Sequence, residues 1–460
     1  MPWDRRSAQQ QEAQRVRALT DQLTHAVGPF SPYWRVRFSE LGTTAAAQAK
    51  PAALAALSPV GERDVCPDGD PRGAASLVLQ AGEESWALHA EGPVLRQAML
   101  RRLLGRTGSY RRVVETDTRP TTFVEAGLSF RFPVASTRGD LDVVARTGAR
   151  LWQVLGLSGS DVLVAGIPLT RTAALQGLEL AALAAGSPAH FAGEGLDDLT
   201  RALHLLPATV LALPAGAAGT VLDDLDESGA PLGHVRTLLL VGAPTRLERA
   251  EAEASLVRAG ISARTLAVHV PDGHRLLWGE CAPGSGLHTY PDHEVLHVVD
   301  VESGTTTDGP GELVLTQLGL RGTALVRWRT GDLVGPVETA PCPSCRRTVP
   351  RVVDAQARAL VPEVALRSGR RPVDLRGVAA ALAGRPDVVD WRVVLATSAR
   401  DEAEDVVVHV VAHRDDDLSD VAVGVARDIR AAAGLLPSQV VVDDVLPAGS
   451  TLVGRVLTQP

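Results

Sequence analysis

Four residues have the types and spacing to hold a metal ion: Cys281, His288, Cys342 and Cys345. Cys342-Pro343-Ser344-Cys345 is a Cys-x2-Cys knuckle, and with one distant Cys and one His it makes a donor set suited to tetrahedral zinc. Four protein ligands leave no position for water, so the zinc would be structural, tying together segments roughly 55 residues apart. The competing reading is a plain turn with two small apolar residues and a surface histidine. His293 and His297 would share one side of a strand but stand too far apart for one ion. Cys66 lies in a Pro/Asp/Gly-rich loop, and nothing near it in sequence would activate a thiol.

Acid/base chemistry finds little support. Asp197-Asp198 and Asp223-Asp224 lack neighbours that would make either a general acid/base pair, and Asp415 to Asp417 read as a solvated loop. Lys50 is the only lysine, so any step that needs an ammonium must use it or do without.

These residues need elements to position them. At 460 residues the chain exceeds what one core usually organises, and two or three domains are expected. A net charge of -8 disfavours attraction to phosphate backbones or anionic lipid, so neither nucleic acid nor a membrane surface is an expected partner. Four cysteines make no disulfide framework, the start carries no secretory pattern, and a cytoplasmic location fits. The run from Ala202 to Leu222 has no charged residue, but Pro207, Pro214, Gly216 and Gly219 make it buried strands and turns rather than a membrane helix.

Residues 7 to 28 place Val16, Leu19, Leu23 and Val27 at helical spacing, and the helix is expected to close at Gly28. From Ala135 helices and strands alternate: helix 140–155, strand 161–167, helix 172–185, then strands near 208–213, 237–241 and 264–268 with a helix over 246–259. Such βα units imply a parallel sheet covered by helices. Between Glu294 and Arg329 polar and apolar residues alternate, as in antiparallel strands. After Arg351 a compact α+β unit is expected, with helices over 374–383 and 421–433. The fold class is therefore α/β, with a large body over 1–353 that includes a β-rich subdomain, and a small C-terminal α+β domain over 359–460.

Five strings give this order a family resemblance: SPYWRVRFSELG (Ser31 to Gly42), ECAPGSGLHTYPDHEV (Glu280 to Val295), GELVLT (Gly311 to Thr316), RWRTGDL (Arg327 to Leu333) and PCPSCRRTVPRV (Pro341 to Val352). Together they resemble the phenylacetate-CoA ligase branch of the AMP-forming, adenylate-forming superfamily over nearly the whole chain. The resemblance implies that a carboxylate attacks the α-phosphate of ATP, pyrophosphate leaves, and CoA thiol then displaces AMP. It also implies that Asp332, with Thr330, binds the ribose hydroxyls of ATP or AMP, that Arg351 and Ser129 belong to the nucleotide site, and that zinc sits at positions matching the cysteine cluster.

Several expected parts are missing. The phosphate loop falls on Ala126 to Phe132, where only Ser129 keeps a hydroxyl. The family's YGxTE falls on Ala267-Val268-His269-Val270-Pro271, leaving no carboxylate for magnesium. The catalytic lysine is replaced at Gly454-Arg455, and arginine's planar fork substitutes poorly for a compact ammonium. Asp332 then has a second reading, as a turn carboxylate capping backbone N–H groups. The sequence alone favours a divergent member with adenylation lost or severely weakened and a binding or accessory role for a small carboxylic acid or acyl ligand. The alternative is an active carboxylate-CoA ligase using ATP, magnesium and CoA through non-standard phosphate contacts.

Overall fold

The structure, a computed structural model, describes residues 3–66, 70–80, 96, 99–100, 103–104, 116, 119–127, 132–244, 246–300, 303–357, 363–366, 369–372, 378, 381–382, 385, 387–398, 404–412, 418–433, 435–443 and 452–458. The chain divides into two units, Met1–Gln356 and Ala357–Pro460.

The first unit opens with helix Ala8–Gln22, started by a capping box in which Ser7 and Gln10 satisfy each other's backbone N–H groups. Leu19, Leu23 and Val27 are buried as their spacing requires. Gly28 does not close this helix as expected. It is itself helical, and the chain continues through Gly28–Phe30 until Ser31 turns extended and caps helix Pro32–Glu40. Gly28 serves close packing instead, because a Cβ there would stand 2.7 Å from Ala45 Cβ.

Strands β1 (Pro120–Ala126) and β2 (Phe132–Thr137) form an antiparallel hairpin. The main sheet follows, with β3 (Leu163–Ala165), β4 (Ala189–Phe191), β5 (Val210–Pro214), β6 (Thr237–Val241) and β7 (Arg264–His269) all parallel. After β7 the pairing turns antiparallel, through β8 (Trp278–Gly279) and β9 (Leu287–His288). A second, antiparallel sheet contains β10 (Glu294–Val299), β11 (Thr306–Thr307), β12 (Gly311–Gln317) and β13 (Trp328–Val334). Finally β14 (Val337–Glu338) and β15 (Arg351–Val352) rejoin the main sheet, whose order is β14-β15-β9-β8-β7-β6-β5-β3-β4.

Nearly continuous apolar runs such as Thr237–Val241 are buried on both faces, as parallel strands between helices must be. Helices Arg138–Leu155 and Thr172–Ala185 cover one face, with Leu151, Leu178 and Ala181 against Ala165, Ala212 and Leu239. Helices Leu196–Leu205, Ala218–Glu227 and Arg246–Arg258 cover the other, around Leu211, Leu213 and Leu240.

The first two of these were not legible as helices. Pro214 and Gly216 in the uncharged run mark a strand-to-helix junction rather than successive turns. Asp197 and Asp198 occupy the first turn of helix Leu196–Leu205, where carboxylates oppose the positive end of the helix dipole. Asp223 pairs with Arg258 at 2.7 Å. Among the described residues no helix is long and apolar enough to cross a membrane.

A buried ionic network fixes the turn between β7 and β8. Asp140 caps its own helix through Thr137, accepts hydrogen bonds from the N–H groups of Arg321 and Gly322, and pairs with Arg275 at 2.8 Å. Arg275 also donates to Gln317 Oε1 at 2.7 Å. His274 lies 2.8 Å from Glu294, which also accepts from Trp278 Nε1 and Tyr290 N. Such charges tolerate burial because each is paired, and among the described residues only Arg275 Nε in this network goes without a partner.

In the second unit, strands Val388–Ser398 and Glu404–Ala412 pair antiparallel, and helix Leu418–Ala433 buries Val421, Val425 and Ile429 with Val393, Val406 and Val408. Strand Leu452–Thr458 runs parallel to Val388–Ser398 and carries Gly454 and Arg455 opposite Val394 and Leu395. Most of the helix expected over 374–383 and the Asp415 to Asp417 loop lie outside the described residues.

Candidate metal centre and sheet-end site

Glu280 anchors the loop that delivers the first two candidate ligands. Its Oε2 accepts from Ala267 N and Arg249 NH2 at 2.9 and 2.8 Å, and its Oε1 accepts from Gly284 N at 3.1 Å. Ser285 Oγ then accepts from the backbone N–H groups of Cys281 and Ala282, each at 3.2 Å. Gly286 has a left-handed φ of 84°, and a Cβ there would stand 2.9 Å from Val353 Cγ1, so both conformation and space call for glycine. This loop sets Cys281 and, on β9, His288 toward the knuckle.

The knuckle closes on itself through Cys342 N to Arg347 O and Arg346 N to Cys342 O, both 2.8 Å. The chain start braces it: Arg5 donates to the carbonyls of Arg346 and Cys345, and Arg347 pairs with Asp4 at 2.9 Å.

Cys281, His288, Cys342 and Cys345 converge, with one ligand atom from each lying within 4.8 Å of all the others. Cys281 Sγ is 3.6 Å from Cys342 Sγ, and Cys345 Sγ is 3.6 Å from His288 Nε2. Tetrahedral zinc with Zn–S bonds of about 2.3 Å separates its sulfurs by about 3.8 Å, so the donor set fits that ion. Burial and the nearby Arg347 and Arg351 hold His288 down at about 3, leaving a neutral imidazole able to ligate. Burial pushes the Cys281 thiol up to about 12. Cys342 is also buried, yet N–H groups from Cys345 and Ser344 bring it below the ordinary thiol range. His288 Nδ1 has no hydrogen-bond partner among the described residues, a departure from the usual bracing of a ligating imidazole.

The second candidate site lies where the parallel strands end. In open α/β sheets ligands gather outside the carboxyl ends of the strands, here Ala165, Pro214, Val241 and His269. His269, the last residue of β7, meets Asp332 of β13, with Nε2 2.9 Å from Oδ2. The carboxylate can only accept, so Nε2 carries the proton and donates. Both side chains are buried, at 9% and 6% exposure, so the contact is sheltered from competing water. Thr330 is committed within its sheet: its hydroxyl accepts from Asp332 N at 3.1 Å and donates to Leu313 O at 3.0 Å.

Arg351 stands elsewhere, opposite His288 in the β9–β15 ladder, donating to Ser285 O at 2.5 Å. The structure thus brings Thr330 and Asp332 together and sets Arg351 beside the cysteine cluster. Ser129 and Phe130 lie outside the described residues. Phe132 packs edge-on against Trp328, 5.7 Å between centroids, inside a core cluster. Gly127 N donates to Asp272 Oδ1 at 2.8 Å, joining the hairpin to the β7–β8 turn.

Sequence reasoning missed His269 as a member of this site, and Asp272 as the residue that joins the β7–β8 turn to the hairpin. His269 stood in the altered YGxTE stretch and counted there only as a loss. Asp272 is the residue just after that stretch, so a one-residue wider window would have included its carboxylate. Cys66 is buried, and burial raises its thiol. His293 precedes β10 while His297 lies within it.

No protein-family model matches the chain, and no curated protein matches it. Solved structures do. One is 2-hydroxyisobutyryl-CoA ligase in a postadenylation state with R3-HIB-AMP, at TM-score 0.69 and 14% identity, over 100% of this chain and 91% of that one. The same ligase in an open conformation with 2-HIB-AMP and CoA matches at 0.61 and 16%, over 100% and 93%. ATP-bound MatB from Rhodopseudomonas palustris matches at 0.50 and 16%, over 74% and 67%. The chain has the fold of these CoA ligases.

Proposed function

We propose that the chain is an AMP-forming carboxylate–CoA ligase of the phenylacetate-CoA ligase-like branch, acting in the cytoplasm on a small carboxylic acid. What carries the reading is the likeness to a solved CoA ligase over 100% of the chain, joined to the five strings that end in the cysteine knuckle. In the first half-reaction a carboxylate oxygen bonds to the α-phosphorus of ATP and the bond to pyrophosphate breaks. In the second, CoA sulfur bonds to the acyl carbon and AMP departs.

Asp332 is assigned to the ribose, held in place by Thr330 through its own N–H. In the sequence Ser129 is the hydroxyl that remains in the phosphate-loop stretch and Arg455 stands where the lysine is absent, while Arg351 braces the loop before β9 through Ser285 O. The residues of the altered YGxTE stretch, Ala267 to Pro271, offer no carboxylate and do not fit a magnesium ion. Cys281, His288, Cys342 and Cys345 would hold a structural zinc that ties the Glu280–His288 loop to the knuckle.

A second reading, a ligand-binding or accessory protein without adenylation, is favoured by the His269–Asp332 hydrogen bond and by Lys50 being the only lysine. Incubation of the full chain with ATP, magnesium, CoA and a panel of aryl and short aliphatic acids separates the two. Acyl-CoA detected by mass spectrometry supports the ligase. No thioester from any acid, with acid-dependent thermal stabilisation retained, supports the binding role.

A further inference from the structure

A small cavity lies between helix Ala8–Gln22, the start of helix Pro51–Ala56 and β10, with a volume of about 110 Å³. Val16, Leu19 and Val295 give it apolar walls, while Glu12, Arg15 and His297 supply polar atoms. Three features call for an anion there. Arg15 has one described partner, Glu12, one helical turn away, and the two side chains are 31% and 43% exposed. Exposed pairs of this kind contribute little, and the guanidinium keeps further N–H donors for a ligand. His297 Nδ1 is buried and has no hydrogen-bond partner among the described residues.

The third feature is Arg327, which is 1% exposed and meets only neutral acceptors among the described residues, Leu57 O at 2.9 Å and Thr306 Oγ1 at 3.3 Å. A buried cation without a carboxylate is costly, so negative charge brought near it is favoured. Burial, then the charges of Arg327 and Arg15, disfavour a proton on His297. The imidazole is therefore neutral and still has one N–H to donate.

Size and lining narrow the anion. Cavities of about 150 Å³ hold a benzene-sized molecule, so this one suits about four or five non-hydrogen atoms. Phosphate or chloride would leave the apolar walls without a partner. A short carboxylate lays its hydrocarbon end on Val16, Leu19 and Val295 and turns its oxygens to Arg15 and His297. We propose that this cavity binds a short-chain monocarboxylate of acetate or propionate size, which takes Arg15 from Glu12 and accepts a second hydrogen bond from His297. Glu12 is then a competitor, since one carboxylate replaces another on Arg15. None of these residues belongs to the sheet-end site, so the proposal stands or falls apart from the ligase reading.

The test titrates the full chain, carrying ring-labelled histidine, with propionate, propionamide and inorganic phosphate. The His297 resonance, identified by its loss in His297→Gln, is followed by NMR. Propionate should shift it saturably, with a Kd on the order of 1 mM for so small a ligand. Propionamide lacks the charge and phosphate lacks the hydrocarbon, so each should bind about ten-fold or more weaker.

Arg15→Gln should weaken propionate about ten-fold or more, whereas Glu12→Gln should tighten it about two- to five-fold by removing the competitor. A merely structural role gives no such opposition of signs, and a thermal melt verifies that each variant is folded. No saturable shift of His297, or no tightening in Glu12→Gln, overturns the proposal. Phosphate binding as tightly as propionate overturns the assignment to a carboxylate.

Discussion

Two polar clusters adjoin the main sheet, and they differ in what their atoms still lack. At the antiparallel end Cys281, His288, Cys342 and Cys345 converge without satisfying one another, because thiols and an imidazole are weak partners for each other and strong ones for a metal. At the carboxyl ends of the parallel strands His269 and Asp332 do satisfy each other, by a short, buried hydrogen bond. The first arrangement is incomplete without a ligand. The second already holds an internal hydrogen bond, while its carboxylate keeps acceptor capacity for a ligand. Convergence therefore marks both sites, and residual hydrogen-bonding or ligating capacity separates what each can still take.

The sharpest break comes from the scaffold between them. Arg275→Ala leaves Asp140 buried without its cation and is expected to cost about 3–5 kcal/mol, read by denaturant unfolding. Next in size, Cys342→Ser lowers zinc from about one per chain to near zero by elemental analysis and destabilises the first unit by on the order of 3 kcal/mol. Asp332→Asn leaves zinc content unchanged, so parallel loss of metal in both variants would dissolve the distinction between the sites.

A smaller effect should appear with pH, at a place belonging to neither cluster. Burial, with Arg327 and Arg15 adding, holds His297 down at about 4. The folded chain thus favours its neutral form, so this contribution is complete above pH about 6.5 and is lost as pH falls toward 4, by up to roughly 3 kcal/mol. His297→Gln flattens that part of the stability profile, and identical profiles for both proteins would contradict it. The smallest change is Thr330→Val, which removes the bond to Leu313 O and the acceptor for Asp332 N, for about 1 kcal/mol in thermal unfolding.

Much of this architecture was readable from period and punctuation. Helix Thr172–Ala185 and strand Thr237–Val241 carry the bounds that their apolar patterns suggested. Helix Ala218–Glu227 was hidden, because an uncharged run with Pro and Gly reads alike as turns or as a strand-to-helix junction. Gly28 misled for a related reason: glycine ends helices, but it also admits close neighbours, and here Ala45 is the neighbour.

The cysteine cluster was legible because its residue types carry their chemistry with them. The His269–Asp332 pair was not, since its members are 63 residues apart and each is an ordinary polar residue at a strand end. Only the approach of β13 to the end of β7 makes them one site.

Activation of a carboxylic acid by this fold is read by ATP–pyrophosphate exchange on folded protein of known zinc content. Labelled pyrophosphate should enter ATP in the presence of at least one aryl or short aliphatic acid, above the rate without acid, and Asp332→Asn should depress that rate about ten-fold or more. Exchange that never exceeds the acid-free control, across the whole panel, would mean that the chain does not adenylate these acids.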